Sequence, residues 1–240
     1  MHHVIKTIIP LHLFGIDISI TTPVLWTIIA SLLLLLFLWA GSRKPTLVPT
    51  RYTQNIFEYA IDFVEKQIVL PVELDPKTWT PLILSLFLFI LFNDWIGIIP
   101  GATVGTGNIN ETGALAVLIF LVSLYLRFTV QGIRGFFKSL VPEGVSGPVL
   151  ILLFPIEVIS QLIKPFSLAI RLFANMSGGH LLMLTIIGFT VLFNNFLVSI
   201  FSLAGAVAIA FFEIFVGFIQ AYVFAFLAAL LVGESLAEEH

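Results

Sequence analysis

Two long apolar segments in the C-terminal half constrain the fold of this chain more than any other feature. Residues 148–193 form a run of 46 residues, and residues 196–232 form a run of 37 residues whose one charged side chain is Glu213. A helix of about 20 apolar residues crosses the ~30 Å hydrocarbon core of a bilayer, whereas 37 helical residues extend about 55 Å. The two segments therefore predict membrane helices that lie at roughly 55–65° from the membrane normal.

The rest of the chain also has the composition of a membrane protein. Of the 240 residues, 59% are hydrophobic and 10% are charged, whereas about a quarter of the residues in a soluble domain are charged. Three further segments have the length of one span: residues 21–40, about 80–99 and about 113–130. The basic residues follow the first of these segments, so we interpret it as a retained span and not as a signal peptide. We expect a single, all-α integral membrane domain over residues 1–240, with about five crossing helices.

The composition also excludes several classes of function. The chain has no cysteine, which excludes disulfides, thiolate metal sites and cysteine nucleophiles. The five histidines are scattered without metal-ligand spacing, and no glycine-rich nucleotide loop is present. A net charge of −3 argues against nucleic-acid binding. We therefore expect membrane lipid as the surroundings, no metal, no cofactor and no catalytic residue.

Basic residues in the connecting segments indicate the orientation. Most Lys and Arg lie between the first two spans or after the third, while residues 100–112 and 194–195 contain none. The positive-inside rule then places the N-terminus outside and the C-terminus in the cytoplasm. Residues 50–70 are too polar to span but have apolar positions at helical spacing, which predicts an amphipathic helix at the cytoplasmic interface. A loop helix packed on a neighbouring subunit fits that pattern equally well.

Polar side chains follow one face of the segment 148–193. The residues within about 40° of Arg171 on a helical wheel are Glu157, Ser160, Lys164, Ser167, Asn175 and Gly178. Ionisable groups inside a membrane are costly and usually face a protein interior or an aqueous cavity, which favours an ion path. Arg171 and Lys164 could instead extend their charged ends to the interface. His180 could be a hydrogen-bonded core histidine.

A turn between the two long segments brings their polar residues together. Asn194-Asn195 is a turn signal, and an antiparallel hairpin around it aligns Arg171 with Gln220 and His180 with Glu213. Glu213 lies 17 residues inside its run, which is too deep to reach the interface, so we interpret it as a paired or proton-exchanging carboxylate. We expect His180 and Glu213 to approach within direct or one-water reach.

Several motifs carry a family resemblance over most of the chain from about residue 50 onward. The run Lys164–Met176, with the sequence KPFSLAIRLFANM, resembles the signature of subunit a of rotary F-type ATP synthases. Resemblances to the same family's second span and last helix are found in Phe92–Pro100, in Glu213 with Gln220-Ala221-Tyr222, and in Gly233–His240.

The resemblance implies a role for each matching residue. Arg171 would be the stator arginine that faces the carboxylate of the rotating c-ring, with Asn175 and Gln220 near the point of proton handover. His180 and Glu213 would line the half-channel from the outer side. The residues of the cytoplasmic half-channel would be Glu157, Lys164 and Ser167. Many bacterial members have Glu at the position of His180 and His at that of Glu213; this exchange leaves the order of proton transfer open.

The resemblance also implies partners and a location. The chain would be a non-catalytic proton-channel subunit of the Fo sector, with residues 148–232 as its channel hairpin. Its partners would be the c-ring, the peripheral stalk b subunits and, indirectly, the F1 catalytic head, and we expect the membrane to be a bacterial plasma membrane. A secondary ion-coupled transporter is the alternative, but five unequal crossings without an internal repeat do not favour it. A structural membrane scaffold would not require Arg171 and Glu213 to share one hairpin.

Overall fold

Over the residues that the structure describes, the fold is an all-α arrangement with five helices that are long and apolar enough to cross a membrane. The computed structural model describes residues 7–10, 12–13, 16–17, 19–43, 51–99, 102, 105–132 and 148–236. Its α-helices are α1 (Thr22–Ser42), α2 (Tyr52–Val64), α3 (Pro76–Gly97), α4 (Ile109–Val130), α5 (Pro148–Phe193) and α6 (Phe196–Leu236). The predicted fold class and the number of spans are confirmed. The orientation prediction refers to chain ends, residues 1–6 and 237–240, that lie outside the described residues, as does most of the basic loop after α4.

Short strands precede α1, and the sequence pattern did not predict them. The strand β1 (Thr7–Ile9) pairs antiparallel with β4 (Ile20–Thr21), and β2 (His12–Leu13) pairs antiparallel with β3 (Ile16–Asp17). These strands have two or three residues each, so they add a local extended segment to a helical protein.

The predicted amphipathic helix forms and continues into the protein core. After α2 the chain runs through a π-helical turn (Glu65–Val69) and a 3-10 turn (Leu70–Val72). Ile68 and Val69 are fully buried, while Tyr52 and Tyr59 of α2 are exposed. This segment is therefore anchored by its C-terminal end and leaves an aromatic surface at its start.

A side-chain cap begins α3. The Asp75 carboxyl accepts hydrogen bonds from the Thr78 amide at 3.2 Å and from the Thr78 hydroxyl, and Pro76 occupies the first helical turn, where its missing N–H is not needed. The Thr78 hydroxyl is the main cause of the lowered pKa of the Asp75 carboxyl. Because the charged carboxylate favours the cap, this contribution is present above the ordinary pKa of Asp and is lost as the pH falls through the lowered value.

The hairpin of α5 and α6 turns at the predicted position. Helix α5 ends at Phe193 and α6 begins at Phe196. Asn194 has a φ of 40°, a left-handed conformation that Asn adopts more readily than most residues. Asn195 caps α6, since its Oδ1 accepts a hydrogen bond from the Leu197 amide at 2.9 Å. The turn predicted at residues 194–196 is confirmed.

The buried core lies along the C-terminal half of α6. Its small residues Ala221, Ala225, Ala228 and Ala229 are fully buried and let the helix pack closely on α3 and on the segment that follows α2. The half of α6 nearer the turn has large exposed apolar side chains instead, among them Phe201, Phe211 and Phe215. This division fits a helix whose one half is held by its own chain and whose other half faces lipid or partner subunits.

Candidate functional site

A hydrogen bond joins the two helices of the hairpin at the centre of the predicted site. The Asn175 Nδ2 atom donates to Gln220 Oε1 at 2.9 Å, and Gln220 is only 3% exposed. The alignment of the two segments predicted Arg171 opposite Gln220. In the structure the partner of Gln220 is Asn175, one helical turn further along α5. Two of the predicted handover residues are therefore in direct contact.

Arg171 is exposed on the outer face of α5. It makes no hydrogen bond or ion pair with any residue in the described ranges. Its neighbours on the same helical face, Ser167, Ala174 and Gly178, are small and also exposed. The guanidinium group thus stands on a surface where small side chains allow another helix to approach closely.

Glu213 packs against α5 at a glycine. A Cβ atom on Gly179 would lie 2.2 Å from Glu213 Oε1, so no other residue at position 179 leaves room for the carboxyl in this conformation. Both carboxylate oxygens are inaccessible to solvent, and neither accepts a hydrogen bond from a described residue. A buried carboxyl without a partner is costly, which is typical of a functional group within a membrane.

His180 follows Gly179 and is hydrogen-bonded to the backbone. Its Nε2 atom lies 2.9 Å from the carbonyl oxygen of Ala102, and a carbonyl only accepts, so Nε2 carries the proton in this contact. The alternative of a hydrogen-bonded histidine fits this arrangement. The Glu213 oxygens accept no hydrogen bond within the described ranges, so His180 does not donate one to Glu213. One-water reach between them stays a prediction.

The connection between α3 and α4 covers this end of the hairpin. Ser177 donates a hydrogen bond to the carbonyl oxygen of Gly107 at 3.3 Å. Thr27 of α1 donates to Glu111 of α4 at 2.8 Å, and a Cβ on Gly105 would overlap both of these side chains. This role of the connection could not be predicted from the sequence, because the backbone carbonyl groups that bind His180 and Ser177 have no sequence signature.

The residues predicted for the cytoplasmic half-channel, Glu157, Lys164 and Ser167, do not form one cluster of hydrogen bonds in the described structure. Lys164 forms an ion pair with Glu234, with its Nζ atom 3.0 and 3.1 Å from the two carboxylate oxygens. Glu157 accepts a hydrogen bond of 3.5 Å from Gln161, and Ser167 is exposed. The structure thus brings Lys164 to α6, whereas Glu157 and Ser167 form no hydrogen bond or ion pair with another helix in the described ranges.

Arg127 and Glu234 complete a cluster that sequence reasoning missed. Arg127 is 8% exposed and donates to Glu234 Oε2 at 3.4 Å and to the Ser235 hydroxyl at 3.3 Å. Glu234 therefore pairs with cations from both α4 and α5. The signal in the sequence was the charge of Arg127 at the end of an apolar span, which indicated only the orientation above.

Asp94 is a second residue that was missed. It is 4% exposed and lies where α3 meets α6, since a Cβ on Gly217 would be 3.1 Å from Asp94 Cβ. The signal was an ionisable residue inside an apolar span. Within the described ranges, no cluster of three or more His, Asp and Glu side chains could hold a metal ion.

Comparison with known proteins identifies the family. The family model described as ATP synthase A chain matches residues 24–232. A relative named ATP synthase subunit a from Anaeromyxobacter sp. (strain Fw109-5) is 36% identical over 95% of this chain and 57% of its own length. Relatives of the same name from Myxococcus xanthus (36% identical) and Sphingopyxis alaskensis (34% identical) each match 94% of this chain and 75% and 90% of their own lengths. The chain thus spans little more than half the length of the first relative, and most of the third. It belongs to the ATP synthase A chain family.

Proposed function

We propose that this chain is the proton-translocating stator subunit of the Fo sector of a rotary ATP synthase, and that it carries out no catalysis by itself. The observation that carries the proposal is the hairpin. It presents an exposed Arg171 one turn from the Asn175–Gln220 hydrogen bond, with the buried carboxyl of Glu213 further toward the turn. Family membership supports the same assignment.

In the proposed mechanism, Arg171 separates two half-channels that open to opposite sides of the membrane. A carboxylate on a rotor must lose its proton beside this subunit, and a fixed positive charge stabilises the ionised form. Arginine suits that task because it stays charged in protein environments. A proton that crosses 100 mV releases about 2.3 kcal/mol, so a barrier between the half-channels is needed to prevent loss of that energy without rotation.

The remaining site residues receive roles in this scheme. His180 and Glu213 line the outer half-channel, and histidine exchanges protons in the physiological pH range. Asn175 and Gln220 stand at the handover to the rotor. We assign Glu157, Lys164 and Ser167 to the cytoplasmic half-channel. The ion pair of Lys164 with Glu234 supports this assignment, because this end of the hairpin accommodates charged side chains.

We further propose the c-ring as the partner on the exposed face around Arg171, and the peripheral stalk b subunits and F1 head as the rest of the complex. The small exposed residues Ser167, Ala174 and Gly178 support a close helix–helix contact at that face. We place the protein in a bacterial plasma membrane because the relatives named above are bacterial. Its N-terminus is outside and its C-terminus cytoplasmic, because the basic residues of the connecting segments fall on one side.

The test is ATP-driven proton uptake by vesicles that contain the assembled complex with an Arg171→Lys or Arg171→Ala substitution. We expect both variants to assemble and to lose coupled pumping, because an ammonium group differs from a guanidinium in shape, hydration and its ability to deprotonate. Glu213→Gln should reduce pumping as well. Near-normal pumping by Arg171→Lys would contradict the proposal and leave Arg171 as a residue that anchors α5 at the interface. Purification without any c-ring would favour a solitary transporter.

A further inference from the structure

A carboxyl group from another helix packs against α6 between the levels of Glu213 and Gln220. Gly217 lies between these two residues at spacings of four and three, which places all three on one face of α6. Asp94 of α3 packs at this glycine; a Cβ atom there would be 3.1 Å from Asp94 Cβ and 3.6 Å from its Oδ2. Trp95 holds the helices together at this level through its Nε1 atom, 3.4 Å from the Ile214 carbonyl oxygen.

The polar groups in this row are buried, and among the described side chains the Thr106 hydroxyl alone interacts with Asp94. Asp94 Oδ1, both carboxylate oxygens of Glu213 and Gln220 Nε2 have no hydrogen-bond partner within the described ranges. Nor does any described Lys, Arg or His side chain form an ion pair with Asp94. Buried polar groups in native proteins are almost always satisfied by protein or by ordered water. Three such groups in sequence therefore point to a path that water molecules complete.

Neither a helix cap nor a hydrogen bond to its own helix accounts for Asp94. It lies three residues before the end of α3, not at the helix start, where a carboxylate would cap free N–H groups. Its neighbour Asn93 is equally buried but donates a hydrogen bond of 2.7 Å to the Phe89 carbonyl oxygen, the usual way to satisfy a polar group within a helix. Asp94 as a carboxylate has no donor for such a bond.

We propose that Asp94 is a further proton-carrying residue of the outer half-channel, located between Glu213 and the Asn175–Gln220 contact. This inference rests on the proposed function. The proton passes from the protonated Glu213 carboxyl, through water, to the Asp94 carboxylate; one O–H bond breaks and one forms at each step. Asp94 then releases the proton toward the rotor carboxylate and returns to its starting state. Gln220 cannot carry the proton, but its free N–H can orient the water beside Asp94.

The experiment measures ATP-driven proton uptake by vesicles reconstituted with the complete complex. Asp94→Asn keeps the shape and polarity of the side chain but cannot carry a proton, and Asp94→Ala removes it. A proton carrier predicts that both variants lose at least about tenfold in pumping rate, to a similar extent. A role in packing or hydration predicts that Asp94→Asn pumps at nearly the wild-type rate, and this result would overturn the inference. If Asp94→Asn does not assemble, the smaller polar variant Asp94→Ser is judged by the same threshold.

Two controls make the outcome specific. Thr80 is another buried α3 residue whose side-chain oxygen has no partner in the described structure, and isosteric Thr80→Val should change pumping by less than about twofold because it is about 21 Å from Asp94 along the helix. Arg171→Ala in the same series separates the two proposals. If it pumps normally, the proposed function itself fails. If it is inactive while Asp94→Asn pumps normally, only the role of Asp94 is overturned.

Discussion

At the scale of single residues, a glycine decides how closely the Glu213 carboxyl approaches α5. Glycine at position 179 is about 1 kcal/mol less favourable in a helix than alanine. Its missing Cβ leaves the space that the Glu213 carboxyl occupies. Two other glycines also leave room for a neighbouring side chain: Gly217 lies next to Asp94, and Gly105 lies between Thr27 and Glu111. The carboxyl groups of Glu213, Asp94 and Glu111 thus each lie beside a glycine.

We expect Gly179→Ala to disable proton pumping without preventing assembly. The new Cβ atom would lie 2.2 Å from Glu213 Oε1, so the carboxyl must leave its position. Helix propensity changes in the stabilising direction, so a loss cannot come from a weaker helix. Proton uptake by reconstituted vesicles should fall by at least about tenfold. Gly188→Ala is the matched control on the same helix: its Cβ would meet nothing within 4 Å, and its pumping should be unchanged. Equal pumping by the two variants would argue against a fixed role for the Glu213 position.

At the scale of helices, some elements could be predicted from sequence and some could not. The hairpin followed from two apolar runs around Asn194-Asn195, because the period and the turn chemistry are local. Helix α2 was predicted from its apolar spacing. An amphipathic pattern does not reveal what the apolar face packs against, and in the structure the end of this segment, with Ile68 and Val69, is buried in the protein core. The contact of Asn175 with Gln220 lies one turn from the alignment of Arg171, because the crossing of the two helices shifts a straight count from the turn.

The ion cluster at the C-terminal end of α6 connects three helices. Glu234 joins α6 to Arg127 of α4 and Lys164 of α5. The Arg127 side chain is 9% exposed and that of Glu234 is 35% exposed, so the pair is neither a surface bridge nor a fully buried one. Since removing one partner would leave the Arg127 charge largely buried, the loss should exceed the ~1 kcal/mol of an exposed pair.

We therefore expect Glu234→Gln to lower the Tm of the purified complex by several degrees. The matched control is Lys66→Gln, which removes an ion pair to Asp62 whose two side chains are 61% and 58% exposed; solvent screens that pair, so the Tm should hardly change. Thermal unfolding followed by intrinsic tryptophan fluorescence provides the comparison. A Tm of Glu234→Gln equal to that of Lys66→Gln would show that the cluster contributes nothing beyond a surface bridge.

At the scale of the whole molecule, the lengths of the helices conflict with a simple upright bundle. Helices α3 and α4 have 22 residues each, about 33 Å, which matches the bilayer core. Helices α5 and α6 have 46 and 41 residues, about 69 and 62 Å. Their apolar composition continues up to the turn, where Val191 and Phe196 are 81% and 79% exposed. An upright hairpin with Arg171 at the centre of the bilayer would put this turn about 35 Å away, in water.

We expect the hairpin to lie strongly tilted in the membrane, so that the turn and Arg171 both remain at membrane depth. A 62 Å helix spans a ~30 Å core at about 60° from the normal, far beyond the roughly 20° of ordinary spans. Electron cryo-microscopy of the complex in lipid nanodiscs measures this directly, and the bilayer density gives the normal. Helices α3 and α4 are the internal control, and they should stand within about 30° of that normal. If α5 and α6 stood equally upright, the exposed apolar residues at the turn would be in water, and the placement of Arg171 between two half-channels would have to be abandoned.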